Sequence, residues 1–207
     1  MILDEFISAI FQLVLFSIIP FIVFVISKKQ LKGFLKYVGL FKPLRKTTIL
    51  AIVTAIIMII GGVVVPLLSP EVKELMRMKG TVVGNLTVLG LSYSSFIILA
   101  IIALIKTSLS EEILFRGFIA KRLITWLGFK VGNSIQAALF GLLHIGLLIL
   151  IANPQPLFLI SVFVFSGTAG FILGYIKEIL GNGSIIPGWI AHGLANLVSF
   201  FILAFVI

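Results

Sequence analysis

Glu111 and Glu112 are adjacent in the segment ALIKTSLSEEILFRGFIA, in a chain with only seven acidic residues. Its two histidines, His144 and His192, lie inside the apolar segments QAALFGLLHIGLLIL and IIPGWIAHGLANLVSF. An ionisable group held in hydrocarbon costs about 2.5–3.5 kcal/mol on insertion scales, so one found there is read first as functional. Glu112 and Arg116 stand four apart, share a helical face and can pair. On a helix of about 3.6 residues per turn, Glu111 is rotated from Glu112 by about 100° and is left to face another partner. His192 and Asn196 are also four apart and project side by side, while Phe140 and His144 share a face with Gln136 one turn further back. Three helices thus each present a polar pair or stripe to the interior of a bundle.

A carboxylate and two imidazoles meeting in a shielded pocket suit hydrolysis. Glu111 can take a proton from water while an imidazole orients that water. A tetrahedral oxyanion needs fixed donors, and His192 and Asn196 can each supply an N–H. No nucleophile competes: cysteine is absent, and no serine has a Gly-x-Ser-x-Gly context. A catalytic zinc is the alternative, because two His and one Glu form a known ligand set (Glu111, His144 and His192), although the His-Glu-x-x-His spacing is missing. Taken singly, each feature has a plainer reading. Asn196 could be helix–helix glue, and the Glu112–Arg116 pair could snorkel at a helix end.

The elements that must position these groups are membrane helices. Of 207 residues, 60% are apolar and 11% charged, with mean hydropathy +1.28, whereas a soluble domain carries about a quarter charged residues. At about 20 residues per span, the length suits an all-α polytopic transmembrane bundle of about six to seven helices. The chain reads as a single membrane domain, 1–207, with spans at about Phe6–Ile26, Thr48–Leu68, 131–151, 157–176 and 184–206. Between them lie a short interfacial helix in EVKELMRMKG, a turn at Asn153-Pro154-Gln155-Pro156 and a loop at Lys177–Gly183. Region 81–127 has two readings: a span at 81–105 plus a separate glutamate-bearing helix, or one long helix over about Ser95–Leu127. Lys106 fits neither.

Asp4 and Glu5 precede the first span and no basic segment does, which argues against a cleaved signal peptide. The net charge is +9, but seven of the sixteen Lys/Arg residues (Lys28, Lys29, Lys32, Lys36, Lys42, Arg45 and Lys46) crowd one loop. That is the mark of a cytoplasmic loop and not of a nucleic-acid surface. Alternating sides places the N-terminus outside and the loops at 28–46, 121–130 and 177–183 in the cytoplasm. At about 1.5 Å per residue, Glu112 lies about 14 Å from Lys121, His192 about 15 Å from Asn182 and His144 about 21 Å from Lys130, so the three can share one cavity. Trp126 and Trp189 suit interfacial anchoring. Ser166, Gly170 and Gly174 make a small-residue stripe for close helix packing.

In this order, Glu111-Glu112-x-x-x-Arg116, Phe140-x-x-x-His144 and His192-x-x-x-Asn196 resemble the CPBP family of intramembrane proteases. That family includes type II CAAX prenyl endopeptidases and the bacteriocin-immunity and abortive-infection-like membrane proteins. The resemblance covers about residues 95–206, the expected catalytic core; residues 1–80 are spans without motifs. It implies that Glu111 activates water with His144 as its partner, and that His192 and Asn196 form the oxyanion hole. Glu112 and Arg116 become a supporting ion pair, and Phe140 a pocket wall. The metal-free version is preferred, with no cofactor; zinc on Glu111, His144 and His192 is the alternative. The implied partners are membrane lipid and a peptide or protein substrate, in the plasma membrane of a prokaryote. A catalytically silent scaffold or immunity protein is the rival reading, and the intact set of Glu111, His144 and His192 argues against it. A transporter would show repeats, and none is visible.

Overall fold

Long apolar runs have no water with which to satisfy their backbone, so they close their hydrogen bonds internally as helices. The computed structural model describes residues 1–151 and 154–207, and among them no strand occurs. Helix α1 spans Ile2–Lys28 and stops where Lys29 turns left-handed at φ 53°. A single turn, α2 (Phe34–Tyr37), lies in the basic loop before α3 (Arg45–Leu68). Ser69 then accepts the Val72 N–H to start α4 (Pro70–Met76), the short helix expected in EVKELMRMKG. After α5 (Val82–Leu89), Ser92 and Ser95 cap α6 (Tyr93–Ala100) reciprocally.

Helix α6 runs on through two π-helical segments, Ile101–Leu109 and Glu112–Ala120, into α7 (Lys121–Ile151). The turn expected to begin at Asn153 starts outside the described residues; Pro156 opens α8 (Pro156–Tyr175), which ends in a third π segment, Ile176–Leu180. Helix α9 (Ile186–Phe205) follows. Five helical stretches are long and apolar enough to cross a membrane, one of them 59 residues long, Tyr93–Ile151. Gly128, at φ 76° and ψ 167°, breaks that stretch into two arms, and counting the arms separately gives six apolar segments.

Of the two readings of 81–127, the long helix to Leu127 is the one that forms. The span expected at 81–105 does not: Gly90 (φ 66°) interrupts it, and α5 caps the bundle end instead. There Val83 and Leu86 pack on Leu99 and Leu203, and Thr87 and Arg77 donate to the carbonyls of Ala204 and Leu203. Lys106 also finds its place. Its Nζ donates to Glu5 Oε1 at 2.7 Å, so Glu5 belongs to α1 and neutralises a lysine between helices.

The three basic loops gather at the opposite end. The Ile185 N–H donates to Gly39 O (2.9 Å), Ser184 Oγ to Phe41 O (2.6 Å) and Lys121 Nζ to Tyr37 O (3.2 Å). Gly39 is required twice over, by φ 89° and because a Cβ would lie 2.7 Å from Gly183 O. The small-residue stripe does what its spacing predicts. Gly170 and Gly174 let α7 lie against α8, and Asn133 and Gln136 donate across the seam to Phe171 O (2.9 Å) and Gly170 O (2.8 Å).

A Cβ on Gly174 would collide with the Asn133 amide. Gly174→Ala is therefore expected to destabilise the fold by about 1–3 kcal/mol, the usual range for overpacking. The loss should appear as a lower thermal midpoint in detergent, partly recovered by adding Asn133→Ala. An unchanged midpoint for Gly174→Ala would refute the close-packing account.

Candidate active site

The glutamates ride on a helix widened by its own hydroxyl residues. Thr107 donates to the Ile102 and Ala103 carbonyls (3.0 and 3.2 Å), and Ser108 to Ala103 O (2.5 Å). Ser110 donates to the carbonyls of Lys106 and Thr107. These bonds reach back three to five residues and satisfy backbone acceptors as the turn opens, a distortion frequent at functional sites. Side chains from other helices also reach this segment: Trp189 Nε1 donates to Leu104 O (2.6 Å), and Gln12 Nε2 donates to Lys106 O (2.7 Å), which Ser110 also meets. Trp189 is thus not an interfacial anchor, because its indole N–H is committed inside the bundle. Trp126, 74% exposed, remains free for that role.

Both glutamates face one imidazole. His192 Nδ1 lies 3.4 Å from Glu112 Oε1, and His192 Nε2 lies 3.8 Å from Glu111 Oε2. The two carboxylates thus flank the same ring from different sides, Glu112 at Nδ1 and Glu111 at Nε2. Arg116 Nη1 stands 3.2 Å from Glu112 Oε1, as the four-residue spacing predicts. Glu112 and Arg116 are wholly buried, with His192 5% and Glu111 8% exposed. Gly188 makes room for this: a Cβ there would sit 2.5 Å from Glu112 Oε2.

Phe140 ties α7 to this cluster. The Arg116 guanidinium lies 4.1 Å over its ring, and the rings of His144 and His192 stand 4.5 and 6.0 Å from it. Phe115 packs on it edge-on at 5.0 Å. Phe140 is accordingly a hub between the cation and both imidazoles. His144 Nδ1 is 2.8 Å from Phe140 O. A carbonyl can only accept, so Nδ1 carries the proton and Nε2 is the nitrogen left for chemistry. Asn196 Nδ2 donates to Thr107 Oγ1 at 3.0 Å, one turn beyond His192 on α9.

Two acceptor atoms, Glu111 Oε2 and Glu112 Oε2, make no hydrogen bond among the described residues. A buried carboxylate oxygen without a donor is where a water or a substrate N–H gains most. Among the described residues, no group of three His, Cys, Asp or Glu side chains is arranged to hold a metal ion. Thr107, Trp189, Gln12 and Gly188 were not legible as site residues. Trp189 could have been found from its position three residues before His192, on the same helical face.

The family description Type II CAAX prenyl endopeptidase Rce1-like matches residues 93–198, just over half of the 207-residue chain. Every residue of the cluster lies within the match. No curated protein and no solved structure matches the chain.

Removing Arg116 leaves Glu112 buried without its cation. Arg116→Met should cost about 3–5 kcal/mol, the range for breaking one side of a buried pair. Denaturation in detergent would measure it, and Glu112→Gln added to Arg116→Met should recover much of the loss. Wild-type stability in the single variant would mean that the pair is not holding the helix.

Proposed function

The chain belongs to the type II CAAX prenyl endopeptidase Rce1-like family, and from that premise we propose that it cuts a peptide bond with a water activated by Glu111. Membership and the long apolar helices make it an integral membrane hydrolase of the CAAX-protease kind. The observation that carries the mechanism is His192 flanked by the two glutamates, with Arg116 behind Glu112.

In this mechanism Glu111 accepts a proton from water as the water oxygen attacks the scissile carbonyl carbon. His144 orients that water: with Nδ1–H spent on Phe140 O, Nε2 is the nitrogen that faces it. Both nitrogens of His192 face carboxylates, Nδ1 toward Glu112 and Nε2 toward Glu111. The Nε2–H of His192 and the second amide N–H of Asn196 are the donors for the oxyanion. When the C–N bond breaks, Glu111 returns its proton to the leaving amine. Glu112 and Arg116 hold His192 in place.

The substrate class we carry over is a C-terminal CAAX-type peptide bearing a prenyl group; a bacteriocin-related peptide is the other family-supported class. We place the protein in the plasma membrane of a prokaryote with the basic loops cytoplasmic, supported by their meeting at one end of the bundle. Membrane lipid and the peptide are its partners, and no nucleic acid is involved. A zinc held by Glu111, His144 and His192 is the alternative, and the chelator experiment below separates the two.

The test is cleavage of a prenylated CAAX peptide by the purified protein. Glu111→Gln should lower kcat by about 10²–10⁴-fold, the usual worth of general-base catalysis. His144→Ala and His192→Ala should each impair it too. Undiminished cleavage by Glu111→Gln would overturn the assignment. A strong chelator should leave the rate unchanged; loss of activity restored by zinc would replace this mechanism with the metal one.

A further inference from the structure

One hydrogen bond at the site has a direction fixed by its surroundings. Thr107 has a single hydroxyl proton, and that proton points to the backbone carbonyls of Ile102 (3.0 Å) and Ala103 (3.2 Å). Its oxygen can then only accept from the third neighbour, the Asn196 amide at 3.0 Å. The amide must therefore present its NH₂ to Thr107. With the amide in the other orientation, Oδ1 would meet the Thr107 oxygen with no proton between them.

The seam around this contact leaves Asn196 little freedom. Helix α9 meets the first π segment at three successive points. Trp189 Nε1 donates to Leu104 O (2.6 Å). Gly193 lies so close that a Cβ would be 2.9 Å from Leu104 Cδ2 and 3.7 Å from Ser108 Oγ. Asn196 meets Thr107 at the third. The carbonyl five residues before Thr107 is within reach of its hydroxyl, as the π winding brings it.

We propose that Thr107 is the positioning residue for the oxyanion donor: it accepts one N–H of Asn196 and so aims the second N–H at the developing oxyanion beside His192. The proposal rests on the oxyanion role of Asn196 given above. Thr107 itself touches no reacting atom. Donors fixed before reaction act without reorganisation cost, which is why loss of aim should lower turnover and leave binding alone.

The test uses the full-length protein and the prenylated CAAX peptide, with kcat and KM measured separately. Thr107→Val, similar in shape but without the hydroxyl, should lower kcat about tenfold, the rate equivalent of one neutral hydrogen bond, with KM within about twofold. Thr107→Ser should restore kcat. Thr107→Val combined with Asn196→Ala should be no slower than Asn196→Ala alone, because the two act through one bond. If Thr107→Val does not fold, Thr107→Ala carries the same expectation. Wild-type kcat in the Thr107 variants alongside an impaired Asn196→Ala overturns the proposal, as does a rise in KM with kcat unchanged. Wild-type kcat in Asn196→Ala would instead overturn the oxyanion reading on which the proposal rests.

Discussion

Four ionisable groups at the centre of an apolar bundle, Glu111, Glu112, Arg116 and His192, set the terms for everything around them. Each would be costly alone, and each is tolerable only in the company of the others. Glu112 is the keystone, because Arg116 on one side and His192 on the other share its Oε1. Helices that must bring these groups within 4 Å of one another cannot also keep bulky residues between them. That explains Gly188 beside Glu112, and Gly170 where α8 passes close to Phe140 and the Arg116 guanidinium. The aromatic face of Phe140 supplies the third side of the cation's surroundings, 4.1 Å from the Arg116 guanidinium.

The glutamate helix is π-wound on both sides of the Ser110–Glu111 junction. That winding exposes backbone carbonyls that lipid cannot satisfy. Thr107, Ser108 and Ser110 cover some from within the helix, Trp189 covers another, and Gln12 shares the Lys106 carbonyl with Ser110. The hydroxyl-rich run preceding the glutamates is therefore part of the site's construction.

Much of this was legible in the sequence, and the parts that were not share a cause. The apolar runs, the Glu112–Arg116 pair, the small-residue stripe and the common end of the basic loops all follow from local spacing or from charge counted along the chain. What escaped depends on winding and on contacts far apart in sequence. No periodicity argument announces a π-helix, so the winding on either side of the glutamates was not foreseen. Trp189 looked like an anchor because its distance from the span end is visible and its partner, Leu104 O, is not. Lys106 had no place because its neutralising carboxylate, Glu5, is 101 residues away.

That last pair bears on the extent of the working unit. Every residue with assigned chemistry lies within 93–198, and the first 80 residues carry no motif. Yet α1 supplies Glu5 to Lys106 and Gln12 to the carbonyl of the same lysine, on the π segment that leads directly to the glutamates. At the other end, Val38 from the basic loop is wholly buried against Ile113 and Ile185, next in sequence to Glu112 and to the start of α9. The helix that bears the base is thus gripped from both ends by the part of the chain with no recognisable sequence mark. A segment that only satisfies carbonyls, neutralises one lysine and fills one apolar gap can do so with many sequences, and this is why its contribution leaves no motif to read.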